Sequence, residues 1–433
     1  MKPQPTAPTS TSTLTTRRDF ARVAAVGAAG VAVSRAQAQT APSQKLLVGV
    51  MGLGRGKAHV SGWLGVPGVE IAYLCDVDSS RGEEAARIVQ RSGQERPAKF
   101  VKDFREILGD AEVDVISIAA PNFWHAPATI LACQAGKHVY VEKPGSHNAR
   151  EGELMVEAAR KHDRKVQMGN QRRSFPGIIE GIAKLHGGAI GTVRSARGYY
   201  FSGRKTIGTG KPVPVPANLD YTLWQGPVPE YPYKDNLVHY NWHWHWHFGG
   251  GEMANNGIHS LDLVRWGLKA GSPQKVTFLG GRYHFQDDQE TPDTGTAVFD
   301  LGTSCAQWEF SSCHPRKPET PAFASFAGDN GAMHFTGSGY TIYDLGGKPL
   351  ETLNGAGSDV VHFRNLADAI RDNAPLNSDI AEGQQSTQWC HLANIAYRSG
   401  LVLDIDPATG HPRQEEAMKF WGREYRQGWE PKV

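Results

Sequence analysis

Two stretches of the chain combine residue types and spacings that do chemistry. In LLVGVMGLGRG, Gly52, Leu53 and Gly54 follow an apolar run and open onto a helical segment. Glycines at such a turn let backbone N–H groups approach a pyrophosphate, which the positive end of the next helix also attracts. A third fingerprint glycine would fall at Lys57, whereas Gly56 stands one residue early. Asp76 closes the following apolar run, VEIAYLCD. A carboxylate there accepts from both ribose hydroxyls and repels a 2′-phosphate, which favours NAD, although Arg81 nearby leaves NADP open. The bland alternative for Asp76 is a helix cap. The nucleotide-facing set is therefore Gly52, Leu53, Gly54, Arg55, Asp76 and Arg81.

The second stretch is HYNWHWHWHFGGGEMANNGIH, from His239 to His259. On a strand, alternation places His243, His245 and His247 on one face and Trp242, Trp244 and Trp246 on the other. Three such imidazoles match catalytic zinc ligation. Alternatively the indoles lie against sugar faces, or the segment is an aromatic hairpin packed on a sheet. We read it as the wall of a sugar cleft, with Trp246 and His247 touching substrate, and assign no metal. A nicotinamide and one lysine suffice for the chemistry.

These residues need elements to hold them. LLVGVM, VEIAYLC, VDVISIAAP, HVYVEKP and KVQMGN read as strands, with SRGEEAARIVQRS and APATILACQAG as helices between them. Such alternation predicts an α/β domain over about residues 45–168, a doubly wound Rossmann sheet with helices on both faces. From residue 169 to 433 the texture changes. VRSARGYYF, KVTFLGGRYHF, TGTAVFDL and SCAQWEFSS predict a large, mostly antiparallel sheet. KPVPVPANLDYTLWQGPVPEYPY is too proline-dense for regular structure, and HFRNLADAIRDN and EGQQSTQWCHLANIAYRSG read as late helices.

AAPNFWHAPATILACQAGKHVYVEKP and GGGEMANNGIHSLDLVRW together resemble the Gfo/Idh/MocA family, relatives of glucose–fructose oxidoreductase and inositol dehydrogenase. The resemblance implies an N-terminal Rossmann domain and a C-terminal α/β domain whose open sheet face packs on another subunit, giving a dimer or tetramer. It also implies that Lys143, of Glu142-Lys143-Pro144, lies beside nicotinamide and substrate as the acid–base group, and that His259 shares that work. Pro121, Asn122 and His125 match the loop beside the nicotinamide, while Gln171 and Arg172 match a segment reaching cofactor or substrate. Arg173 or Tyr200 is either a further substrate contact or a structural residue. The family aspartate one helical turn before His259 is Asn255 here. Asn cannot take a proton, though it can bond a sugar hydroxyl.

Composition bounds the rest. Lys+Arg 46 against Asp+Glu 44 leaves no nucleic-acid or anionic-membrane footprint, so the expected partner is a small carbohydrate. Arg17-Arg18, the apolar run Ala21–Val33 and Ala36-Gln37-Ala38 resemble a twin-arginine export signal over residues 1–38, pointing to the periplasm; a basic tail is the alternative. The apolar run is far short of the ~20 residues of a membrane span. Of five cysteines, Cys75 and Cys133 read as buried, and no disulfide is assigned. Export already folded favours a tightly held NAD and a sugar oxidoreductase reset by a second carbonyl. The alternatives are an NAD-dependent glycosidase or lyase without net redox, and a silent sugar-binding protein.

Overall fold

Apolar runs bounded by turn residues become strands buried on both faces, as in β1, where Val48 and Val50 are 0% exposed. The computed structural model describes residues 45–319 and 322–433, so the expected export signal lies outside the described residues. Strands β1 (Leu46–Met51), β2 (Val69–Cys75), β3 (Lys99–Val101), β4 (Val115–Ile118), β5 (His138–Val141) and β6 (Val166–Met168) form one parallel sheet. Its order is β3-β2-β1-β4-β5-β6, with helices α1 (Gly56–Leu64), α2 (Gly82–Arg91), α3 (Arg105–Gly109), α4 (Asn122–Gln134) and α5 (Ala149–Lys161) between strands. The sequence order reverses at β1, between β2 and β4. Ligands of doubly wound sheets lie outside the carboxyl ends of the strands at such a point.

The chain continues through α6 (Pro176–His186), β7 (Val193–Phe201), α7 (Tyr221–Gln225) and α8 (Ile258–Leu268). Strands β8 (Lys275–Gly281), β9 (Thr294–Asp300), β10 (Cys305–Ser311), β11 (Ala324–Gly328), β12 (Gly331–Phe335), β13 (Tyr340–Tyr343) and β14 (Pro349–Leu353) follow. Helices α9 (Asp359–Asp372) and α10 (Ile380–Ser399), strand β15 (Leu403–Asp404) and helix α11 (Glu415–Met418) complete the described chain. The second sheet runs β14-β13-β12-β11-β7-β10-β9-β8-β15, antiparallel except that β7 lies parallel to β10. Alternation such as iBiBiB along β9 buries one face under α8 and α10 and leaves the other open. The proline-dense connection does hold one short helix, α7, because Asp220 caps it by accepting from Leu223 N. All five cysteines are free thiols, with Cys75, Cys133 and Cys390 buried. Among the described residues no helix is long and apolar enough to cross a membrane.

The two sheets are not separate along the chain. Phe363, Leu366 and Ala367 of α9 share one apolar cluster with Val48, Val50, Trp63 and Tyr140 of the first sheet and α1. A second tie is ionic. In the 3₁₀ turn after β6, Arg173 lies bidentate on Asp262 of α8, with Nε at 3.0 and 2.9 Å from the two carboxylate oxygens. Asp262 also accepts from Ser386 Oγ of α10 at 2.6 Å. Both partners are buried, which strengthens the pair and makes losing one of them costly. Asp262→Ala, which strands the Arg173 guanidinium, is expected to destabilise the chain by about 3–5 kcal/mol, measured by urea unfolding.

Candidate active site

The glycine turn after β1 rests directly on the end of β4. Gly52 has φ +86°, and a Cβ there would lie 2.7 Å from the Ala119 carbonyl oxygen. Only glycine meets both demands. Gly54 faces Arg81, whose guanidinium a Cβ would meet at 2.8 Å. Gly56 begins α1, where its Cβ position is 3.1 Å from Val50, so it supplies the close helix–strand approach that Lys57 cannot. Lys57 instead pairs with Glu84. Leu53 is buried and acts through its backbone, donating to Asp76 Oδ2 at 2.7 Å, while Asp78 N donates to Asp76 Oδ1 at 2.9 Å. Burial raises the Asp76 pKa, against these two bonds. Helix α1 begins with no side-chain cap and no acid in its first turn, leaving its N–H groups for an anion. The cradle, the free helix end and the carboxylate suit a dinucleotide.

A cleft of about 630 Å³ opens over this turn. From the first domain it is lined by Gly52, Gly54, Arg55, Asp76, Arg81, Pro121, Asn122, His125, Glu142, Lys143 and Gln171. Asn122 adds a buried Oδ1 with no partner, at the start of α4. His125 is fixed between the carbonyls of Pro144 and Ala120, at 2.6 and 2.8 Å, and burial lowers its pKa. From the second domain come Asn255 and His259.

Glu142 is the hub of the floor. It accepts from Arg55 Nε at 3.2 Å, His59 Nε2 at 3.0 Å, Gln171 Nε2 at 3.4 Å and Lys143 N at 3.1 Å. Ser117 Oγ accepts from Trp63 Nε1 at 3.0 Å and lies 2.9 Å from His59 Nδ1. The network thus assigns Ser117 as donor to Nδ1 and His59 Nε2–H as donor to Glu142. Burial opposes the Glu142 carboxylate, but His59, Lys143 and Arg55 outweigh it and hold its pKa below the usual range.

Above that floor Lys143 Nζ donates to the Asn255 backbone oxygen at 2.7 Å and to its Oδ1 at 3.2 Å. Burial lowers the Lys143 pKa, Arg55 and Arg172 add to this, and Glu142 and Glu252 oppose it. His259 is pushed well below the ordinary imidazole value, first by burial and then by Lys143 and Arg172. Its ring is therefore neutral at pH 7, and its nitrogens make no hydrogen bond within the described residues. A π-helical turn, Met253–Gly257, runs into α8, so Asn255 and His259 do not share one regular helix as expected. The wider turn presents both the carbonyl and the side chain of Asn255 to one ammonium.

The WHWHWH segment is not a strand. A 3₁₀ turn over Asn241–Trp244 breaks the alternation, and the imidazoles diverge. His243 lines the cleft, stacks on Trp242 at 3.6 Å and is pushed down to about 3 by burial. His245 is buried, 3.5 Å from Glu290 Oε1. His247 bonds the Pro229 carbonyl at 2.9 Å and, with Trp246, lines a second cavity instead of the cleft. Among the described residues no three His, Cys, Asp or Glu side chains are grouped to hold a metal. Arg172 also stands outside the cleft lining, over the Phe323 ring at 4.2 Å. Arg173 is committed to Asp262, and Tyr200 lies on β7 outside the cleft lining.

Trp242 and His243 do line the cleft, as expected of that run, whereas the lining residues His239 and Tyr240 escape sequence reasoning. His239 and Tyr240 lie just ahead of the 3₁₀ turn, on a segment with no regular element to read. His239 bonds Asp78 at 2.8 Å. Burial and Glu252 raise the Tyr240 pKa, with the adjacent Asn255 amide acting the other way. Glu252 itself, just past the glycines, is 2% exposed and ion-paired to Arg204 at 3.2 Å. Its signal was a lone acid beside GGG.

Residues 46–170 match the model described as oxidoreductase family, NAD-binding Rossmann fold, and residues 191–292 match its C-terminal alpha/beta domain. The chain belongs to the Gfo/Idh/MocA oxidoreductase family. Its first domain is accordingly an NAD-binding domain. A glycosyl hydrolase family 109 protein of Shewanella pealeana is 28% identical over 175 residues, covering 35% of this chain and 38% of that protein. Levoglucosan dehydrogenase of Pseudarthrobacter phenanthrenivorans is 31% identical over 163 residues, covering 36% and 41%. The chain thus spans about two fifths of the length of these curated relatives. Among solved structures, the WlbA dehydrogenase from Bordetella pertussis, in complex with NADH and UDP-GlcNAcA, superimposes with TM-score 0.64. It is 18% identical, covering 83% of this chain and 99% of that one, a likeness of fold. For this Gfo/Idh/MocA protein, Gly52→Ala combines strain at φ +86° with a backbone clash. NAD binding by calorimetry is expected to weaken about tenfold or more.

Proposed function

We propose that the chain is an exported oxidoreductase that holds NAD tightly and moves hydride to and from a sugar or polyol carbinol. The observation that carries this is Lys143: a half-buried lysine of lowered pKa, on the cleft floor, opposite a neutral His259. Bound NAD supplies the hydride acceptor. Gly52, Gly54 and Asp76 hold it, and Lys143 in its neutral form takes the hydroxyl proton as the carbinol carbon loses hydride. His259, without a hydrogen-bond partner among the described residues, orients that hydroxyl or shares its proton. Asn255 fixes the ammonium through two oxygens and has no carboxylate to take the proton onward. Trp242 and His243 supply flat faces at the cleft wall that suit a pyranose ring.

Export rests on Arg17-Arg18 with the apolar run behind them. A compartment without an NAD pool calls for a cofactor that stays bound and is reset by a second sugar or ketone. A second copy of the chain against the open face of the nine-stranded sheet, giving a dimer or tetramer, belongs to the same reading. A further reading is favoured by the relatives named glycosyl hydrolase family 109. Oxidation at sugar C3 acidifies the C2 proton; His259 or Lys143 removes it, the glycosidic oxygen leaves C1 and takes a proton, water adds to C1 of the resulting enone, and hydride returns to C3 with no net redox.

Lys143→Met is expected to lower turnover by about 10²–10⁴-fold while NAD affinity stays within about threefold. Wild-type turnover in that variant refutes the assignment. The sign of the pH dependence follows from burial: neutral amine is present at lower pH than in an ordinary lysine of pKa 10.5. The oxidative rate therefore rises with pH and levels off below 10.5, and Lys143→Arg removes that limb. Release of aglycone from an aryl glycoside, without added acceptor, selects the second reading.

A further inference from the structure

The second cavity, about 400 Å³, shares no lining residue with the cleft. It opens where Trp246, His247 and Gly249 meet the start of α5, the end of α10 and the segment after α11. Its charged lining is Arg398, Lys419 and Arg423 against one carboxylate, Glu424. Among the described residues neither Arg398 nor Lys419 takes part in an ion pair. Arg398 is held by rings instead, over Trp246 at 5.0 Å and Phe420 at 4.3 Å. Arg423 gives one nitrogen to Glu151 at 2.6 Å, while its Nε and Nη1 are buried without an acceptor. Asn148 Nδ2, on another lining residue, is also buried and unpartnered.

Unused hydrogen-bonding capacity on the cationic side of this cavity is therefore of the donor kind. The histidines do not supply the charge: burial pushes His147 well down, His247 down and His391 to about 4. Fixed guanidinium N–H groups with a nearby ammonium match planar or tetrahedral oxyanions far better than a halide. We propose that this cavity is a binding site for the carboxylate or phosphate group of a small molecule, held by Arg398, Lys419 and Arg423. Its occupant would rest on Trp246 and Gly249–Gly250, just ahead of the turn that carries Asn255.

The test uses NAD-saturated protein, so that the pyrophosphate cradle is already filled. Sodium phosphate and sodium succinate are each titrated calorimetrically against sodium chloride of matched ionic strength. Saturable binding of at least one oxyanion is expected, weakened about tenfold or more in Arg398→Gln and in Lys419→Gln. Both positions are exposed, so both variants fold, and an unchanged NAD affinity confirms it. Phosphate alone binding identifies a phosphate ester as the ligand, and succinate alone a carboxylate. No saturable heat beyond chloride, or affinity unchanged in both variants, overturns the proposal.

Discussion

A buried carboxylate organises this molecule. Glu142, 5% exposed, sits at the end of β5 and gathers donors from α1, from the turn after β6 and from its own neighbour Lys143. An ion in such a place is tolerated only when hydrogen bonds and opposite charge replace lost water. The replacement comes from four directions, and each donor is thereby fixed in turn. His59 is oriented by Ser117, Ser117 by Trp63, and Arg55 reaches on to Asp359 of α9. The position of Lys143 thus follows from satisfying its neighbour. The same arrangement sets the electrostatics of the cleft, because the Glu142 carboxylate limits how far burial can depress the lysine.

The Asn at position 255 acts on this floor through neutral oxygens. A carboxylate at position 255 would favour the charged form of Lys143 and raise its pKa. The amide keeps the ammonium located through a neutral oxygen, and the π-helical turn adds a backbone carbonyl that no side-chain change removes. Acidity is displaced to Glu252, buried with Arg204 and acting on Lys143 only at a distance.

How much of this was legible depended on periodicity. The parallel strands announce themselves because burial on both faces makes them nearly continuous apolar runs, and the glycine turn has a backbone requirement no other residue meets. Strands β7 to β10 alternate cleanly and were readable, whereas β11 to β14 are short and include Gly and Pro. Positions at strand ends, such as Asp76 and Lys143, carry signals in one dimension. Residues on irregular segments do not: Trp246 and His247, expected in the wall of the sugar cleft, follow the 3₁₀ turn and look into another cavity. Nor did any local pattern show that α9 completes the first core.

That last feature bears on the order in which the protein is made. Phe363 packs so closely over α1 that Gly62 leaves no room for a Cβ, and it also lies against Trp63 at 4.9 Å and Tyr140 at 4.4 Å. Until residues 359–372 are synthesised, the nucleotide-cradling helix lacks the share of its apolar backing that Phe363, Leu366 and Ala367 give. Strand β7 likewise waits for β10 and β11, about a hundred residues downstream. The first half of the chain therefore holds the cradle without the part of its core that α9 supplies.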